Sequence, residues 1–375
     1  MKVIGYELRK IFSLKSVLLL SIITFIFYHL FMRFDFEYFP NGRPNLDIYN
    51  IQKEMVNTYG YQMNEREFEH FKQIYEKEKA KADAYLQERK QFAAAGITTY
   101  EKFRTANRDN IKVEKLINQI MHTDNVDLFW ELQARESLIE IYENRNVLVH
   151  SNLTPKQGER VKETIASGNI MSDEVFDNYN SLIRNLTILI LVSIMFLISP
   201  IFLRDLRNGV VYIQYSSKIG RNLVYRKFLA ALIASGIVTT GHLIWFFILY
   251  RRNDVGVFLK SNINSVFNYE IFWYDLSFLQ YILLSIVVIY SIASVVALVV
   301  AILSNIFPNY ITIVGIQVPI AILLFVAIRK YIMVNIVSIN LPNYFHLAIT
   351  VLTILISIVI FILFIRREQK IDLLT

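Results

Sequence analysis

The 375-residue sequence has no cysteine. That excludes disulfides, a thiol nucleophile and thiolate metal ligation, so any large polar segment must hold together by helix packing. It has no nucleotide-binding loop either. The nearest approach, Gly236 to Gly241 followed by His242, lacks the Lys and Ser/Thr that hold phosphate and magnesium. It lies in an apolar run and reads as a pair of helix-packing glycines. There is no HExxH. His29, His70, His122, His150, His242 and His346 are scattered without a paired ligand nearby, the pattern of surface or packing histidines rather than a metal site. Asp, Glu, Lys and Arg are missing from the cores of six apolar runs, in which His242 is the only ionisable residue set deep. Buried charge in a bilayer is costly and marks ion or proton paths, so this absence argues against a proton-coupled transporter.

What is present is apolar: 54% of residues are hydrophobic, with 27 Phe and 22 Tyr. That composition defines a polytopic, all-α integral membrane protein, with aromatics suited to membrane interfaces. The net charge of +7 is unevenly placed. Residues 33–185 are nearly balanced, and the surplus of Lys and Arg sits beside apolar runs, as expected at the cytoplasmic ends of spans. The basic balance is thus a topology signal, with no nucleic-acid partner implied.

Six spans follow in order. Residues 1–15 are expected as a cytoplasmic interfacial helix, with Ile4, Leu8, Ile11 and Phe12 on one stripe and Lys2, Glu7, Arg9 and Lys10 on the other side. Residues 16–32 are the first span; a signal peptide is the rival reading, but the bulky end at His29 to Arg33 offers no small-residue cleavage site. Residues 33–185 read as an extracytoplasmic helical domain inserted between the first and second spans. It carries a long charged helix over 64–95 stopped by Gly96, a second over 99–122, a third over 126–145, a short helix capped by Thr154-Pro155 and closed by Gly168, and a last helix capped by Ser172 that runs into the second span. The domain is either a solvated spacer or a surface that meets substrate or a partner. The remaining spans are 186–203, 228–250, 278–303, 311–328 and 346–365. Between them lie a basic loop, 204–227; an external loop, 251–277, with Trp273 and Tyr274 as interface anchors; a tight cytoplasmic turn, 304–310; and an external amphipathic segment, 329–345. The tail, 366–375, with Arg366, Arg367 and Lys370, places both termini in the cytoplasm.

The basic loop is the most informative stretch. Arg204, Arg207, Lys218, Arg221, Arg226 and Lys227 surround a single acid, Asp205, while Gly209 and Gly220 bracket a short amphipathic piece from Val210 to Tyr215. The order Asp205, Gly209, an apolar run Val210 to Ile213, Ser216-Ser217, Arg221 and Lys227 resembles the coupling segment of permease subunits of type-2 ATP-binding-cassette (ABC) exporters. Asp205 stands where many members carry Glu, and Val210 where many carry Thr. The span layout is similar too, with the large inserted domain resembling a subset from Gram-positive bacteria.

The resemblance implies a cell-membrane permease that exports a hydrophobic or amphipathic substrate, such as a peptide, antimicrobial, lipid or drug. It implies an ABC ATPase subunit holding ATP and magnesium, a second permease copy or sister permease, and no catalytic residue, cofactor or metal on this chain. It places the ATPase contact at Asp205, Arg207, Gly209, Tyr212, Ser216, Arg221 and Lys227, and has residues 329–345 dip back toward the bilayer as two short helices. From the residues themselves, Gln317, Pro319 and His242 are the polar and kink positions of the translocation path, with Gln317 bonding either across a subunit interface or as a plain packing contact. The alternative of another class is a membrane receptor whose inserted helices bind a peptide ligand.

Overall fold

A computed structural model describes residues 2–124, 126–147, 153–209, 220, 222–333 and 336–370. Among them the chain is helical, with isolated bridges but no strand. In chain order the first helices are α1 (Lys2–Ile11), α2 (Leu14–Phe31), α3 (Arg33–Glu37), α4 (Asn45–Tyr59) and α5 (Glu65–Gln87). Next come α6 (Lys90–Ala94), α7 (Tyr100–Arg104), α8 (Ile111–Asn118), α9 (Asp127–Glu143) and α10 (Pro155–Ser167). The last are α11 (Asp173–Ile198), α12 (Pro200–Arg207), α13 (Asn222–Tyr250), α14 (Phe278–Ile306), α15 (Tyr310–Ala327) and α16 (Phe345–Lys370). The chain divides into two compact units, Met1–Glu37 with Tyr179–Asp254 and Gln280–Thr375, and Tyr38–Asn178 with Val255–Leu279.

The first unit holds the apolar helices. Six segments are long and apolar enough to cross a membrane: Leu14–Phe31, Asp173–Arg207, Asn222–Asn253, Phe278–Ile306, Tyr310–Ile332 and Phe345–Arg367. They differ in how far they are enclosed by protein. The apolar window of the second is 83% buried, that of the first 0% and that of the sixth 11%. The second span is therefore the core post, and α2 and α16 stand at its margin with faces left for lipid. Small side chains let α13 and α14 approach: Ala230, Ala231, Ala234 and Ser235 are buried on one, Ala293, Ala297 and Ala301 on the other, and Ser235 Oγ donates to Ala293 O at 3.1 Å. Several polar groups in this core are paired, as lipid or protein surroundings demand, although the Thr239 hydroxyl is buried without a hydrogen-bond partner among the described residues. Tyr179 and Ser285 hydroxyls lie 2.5 Å apart, and Tyr281 donates to Asn180 Oδ1 at 2.8 Å.

Two expectations for this unit are corrected. Gly236 and Gly241 are not close-packing glycines: a Cβ on either would meet nothing within 4 Å, because both face open space on α13. The described part of 329–345 is a π turn, Ile328–Ile332, followed by tight turns rather than two short helices. The Val337 amide there bonds to His346 Nδ1 at 3.3 Å and the Ile336 amide to Tyr281 Oη at 3.2 Å.

The second unit is a helical domain built on aromatics. Phe92, Tyr100, Phe103, Ile117, Ile120, Phe129 and Leu132 form its buried centre, and Phe103 and Phe129 pack at 4.8 Å. The expected 64–95 helix breaks after Gln87: Arg89 takes extended backbone, lays its guanidinium 3.5 Å over the Tyr85 ring, and the chain turns so that Phe92 is buried. The expected 99–122 helix is interrupted at 105–110. Asn107 Oδ1 and Asn110 Oδ1 accept from the amides of Asp109 and Lys112, offering the backbone local partners in place of a helix. The Thr154 cap and Gly168 stop are as read, with a Thr154–Gln157 capping box and Gly168 at φ +61°. Ser172 differs: its buried hydroxyl has no hydrogen-bond partner among the described residues, so it does not cap α11 through its side chain. Residues 255–277 of the expected external loop 251–277, with the first two residues of the expected fourth span, belong to this unit. Arg160 binds the Asp275 carboxylate at 2.5 and 3.0 Å and Phe272 O at 2.8 Å, and Asn169 Nδ2 donates to Asn264 O.

Candidate functional site

The base of the basic loop is closed by buried charges. Asp205, on α12, is 4% exposed and accepts from Lys227 Nζ of α13 at 2.6 Å and from Lys10 Nζ of α1 at 3.0 Å. Lys227 is itself 3% exposed and lies 4.8 Å over the Phe202 ring. Lys10 also reaches Glu7 at 3.0 Å, and Arg204 Nη1 donates to the Lys10 carbonyl at 3.2 Å. Two carboxylates thus balance two ammonium groups, the condition under which buried charge is tolerated. Burial by itself would lower the Lys10 ammonium, but its bonds to Glu7 and Asp205 hold it above the ordinary lysine value.

This clasp sorts the residues read as contacts. Asp205 and Lys227 turn inward and hold the two ends of the loop together. Arg207 and Gly209 are exposed, the latter at φ +64°. Tyr212, Ser216 and Arg221 lie outside the described residues, as do Lys218 and the whole piece from Val210 to Tyr215. Glu7 and Lys10, read on the polar side of α1, instead face the clasp: Glu7 is buried and accepts from Lys10, whose ammonium also binds Asp205. Sequence reasoning missed them as site residues. The available signal was two opposite charges three positions apart amid the apolar stripe Ile4, Leu8, Ile11, but nothing in it identifies a partner 195 residues away.

Gln317 has a partner inside the chain. Its side chain exchanges bonds of 2.8 and 3.0 Å with Ser199 Oγ, at the break between α11 and α12. Pro200 opens α12, leaving its first amides without helical acceptors. Ser304 Oγ, from α14, accepts from the Phe202 amide at 3.2 Å and donates to Ser199 O at 2.6 Å. Three spans therefore meet at one polar node. Pro319, two residues on, is exposed and α15 continues through it.

His242 lies in the last third of α13. Its Nδ1 lies 2.9 Å from Val238 O and its Nε2 3.3 Å from Thr24 Oγ1 of α2. The other described histidines also have structural company: His29 packs on Phe25, His70 bonds Tyr59, His122 packs on Trp130, and His346 Nε2 donates to Tyr331 O, while His150 lies outside the described residues.

These features define a multi-pass helical membrane protein. No protein-family model, curated protein or solved structure matches the chain, so its particular role rests on the residues above.

Proposed function

We propose that the chain is the membrane-spanning subunit of an ATP-driven exporter of the type-2 ABC class, moving a hydrophobic or amphipathic substrate while a separate subunit hydrolyses ATP. The observation that carries this reading is the Asp205 clasp. A loop that takes force from a cytoplasmic motor must be anchored stiffly at both ends, and Asp205 ties the start of the loop to Lys227 at its end and to Lys10 of the N-terminal helix. Charge in a largely buried, paired network resists displacement, because separating the partners leaves an ion without compensation. Motion of the loop would then pass together into α1, α12 and α13. In this reading Arg207, which is exposed near Gly209, would meet the motor. The chain's lack of a phosphate-binding loop and of charged residues in its span cores accords with an engine on another subunit.

The test is purification of the tagged chain from its native membrane. A P-loop ATPase should accompany it, and Arg207→Glu combined with Arg221→Glu should release that ATPase without lowering the chain's melting temperature. Full ATPase recovery by a chain lacking residues 208–221 overturns the assignment of the loop.

A further inference from the structure

The first and third spans enclose a groove of about 620 Å³, open along its length. Its walls include Ser21, Thr24 and Tyr28 of α2 and Gly241, His242 and Trp245 of α13. That volume is within the range of small-molecule sites. The apolar window of α2, which borders it, is 0% buried, so the groove lies beside a helix with faces left for lipid.

Its polar chemistry is directional. A backbone carbonyl only accepts, so the 2.9 Å contact with Val238 O puts the ring proton of His242 on Nδ1. In the uncharged ring Nε2 is then an acceptor turned toward α2. Its partner, the Thr24 hydroxyl, is 3.3 Å away, longer than a well-formed hydroxyl bond. The Ser21 hydroxyl is already committed to Val17 O at 3.0 Å. Next to His242, Gly241 leaves open space where a side chain would stand. At one end of the groove Tyr28 meets Trp245 edge-on at 5.7 Å. Ser21, Thr24, Tyr28 and His29 also line the groove, but His242 Nε2 is the acceptor that faces α2 with only a long contact to occupy it, among walls that are mostly apolar. The groove suits a donor head and disfavours a charged one, since a charge there would lack a compensating partner.

We infer that this groove binds a long-chain amphiphile whose head carries a single uncharged hydrogen-bond donor, a hydroxyl or an un-ionised carboxylic acid. The head donates to His242 Nε2 in place of Thr24, and the chain lies between α2 and α13. The site requires no ATPase, so its test stands apart from that of the proposed function.

The full chain is placed in phosphatidylcholine nanodiscs with a hexadecanol bearing a photoreactive diazirine on its chain, and labelled residues are mapped by mass spectrometry. Labelling of α13 around Gly241 to Trp245 should saturate. Unlabelled hexadecanol should displace the probe roughly fivefold better than its methyl ether, which has no donor, in line with one hydrogen bond of about 1 kcal/mol. Gly241→Leu, which fills open space rather than a packed contact, should abolish saturable labelling, and His242→Phe should erase the preference for alcohol over ether. Labelling that never saturates, equal displacement by alcohol and ether, or full labelling in Gly241→Leu each reduces the groove to bulk bilayer contact and overturns the inference.

Discussion

Lys227 Nζ lies 2.6 Å from Asp205 Oδ2, and both side chains are almost wholly withdrawn from solvent. Removing one partner of such a pair costs about 3–5 kcal/mol, whereas replacing both with apolar groups is often neutral. Lys227→Met and Asp205→Leu should each lower the melting temperature of the detergent-solubilised chain strongly. The double substitution should recover much of the loss, the remainder reporting on Lys10, which keeps Glu7 as its partner. A double variant as unstable as the sum of the singles would show that the two residues do not act on each other.

The node at Ser199 predicts a weaker coupling. Interhelical bonds between polar side chains in membranes are worth roughly 0.6–1.7 kcal/mol. Ser199→Ala and Gln317→Leu should each destabilise modestly, and a double-mutant cycle read by thermal unfolding should return a coupling of that order. Substituting Thr312, an exposed residue on the same helix, should return none.

Gly168 and Gly158, ten residues apart, should respond oppositely to alanine. At Gly168 the backbone is left-handed and a Cβ would lie 2.2 Å from Met63 O, so Gly168→Ala should cost about 2–3 kcal/mol or more. Gly158 lies within α10 with nothing near its missing Cβ, and Gly158→Ala should stabilise by about 0.5–1 kcal/mol. Denaturant unfolding monitored by Trp fluorescence separates the two.

Acid should loosen the second unit at one identifiable place. The Arg160 guanidinium holds the Asp275 carboxyl below its ordinary value, helped by Asn262 and Asn264. A carboxyl depressed on folding adds stability above its unfolded value, about 3.9, and that stability is lost as pH falls through the folded one. Asp275 is more than half exposed although Arg160 is largely buried, so solvent screening keeps the effect small. The melting temperature of wild type should fall more steeply than that of Asp275→Asn as pH is lowered from about 5 to 3.

The six apolar helices were legible in the sequence because a bilayer demands long uninterrupted runs, and 228–250 or 278–303 satisfy nothing else. The Thr154-Pro155 start and the Gly168 stop were legible because each is a local device. What escaped was non-local or a contest between local terms. Helix-favouring Glu, Lys and Ala between 64 and 122 masked the breaks at Arg89 and at Asn107 to Asn110, where a ring contact and two amide side chains outcompete helix continuation. Asp205 and Lys227 were singled out, but as surface contacts. Their burial depends on Lys10 and Glu7, and no spacing rule joins position 10 to position 205. The membership of 255–279 in the second unit depends on Arg160 and Asn169 in the same way.

The hydroxyl of Ser304 has a consequence for how the second span bends. It supplies an acceptor for the Phe202 amide and donates to Ser199 O, so both sides of the Ser199–Pro200 joint are bonded to the fourth span. A bend at that joint has to break, or carry with it, two hydrogen bonds to a serine on another helix, which ties the second span to the fourth.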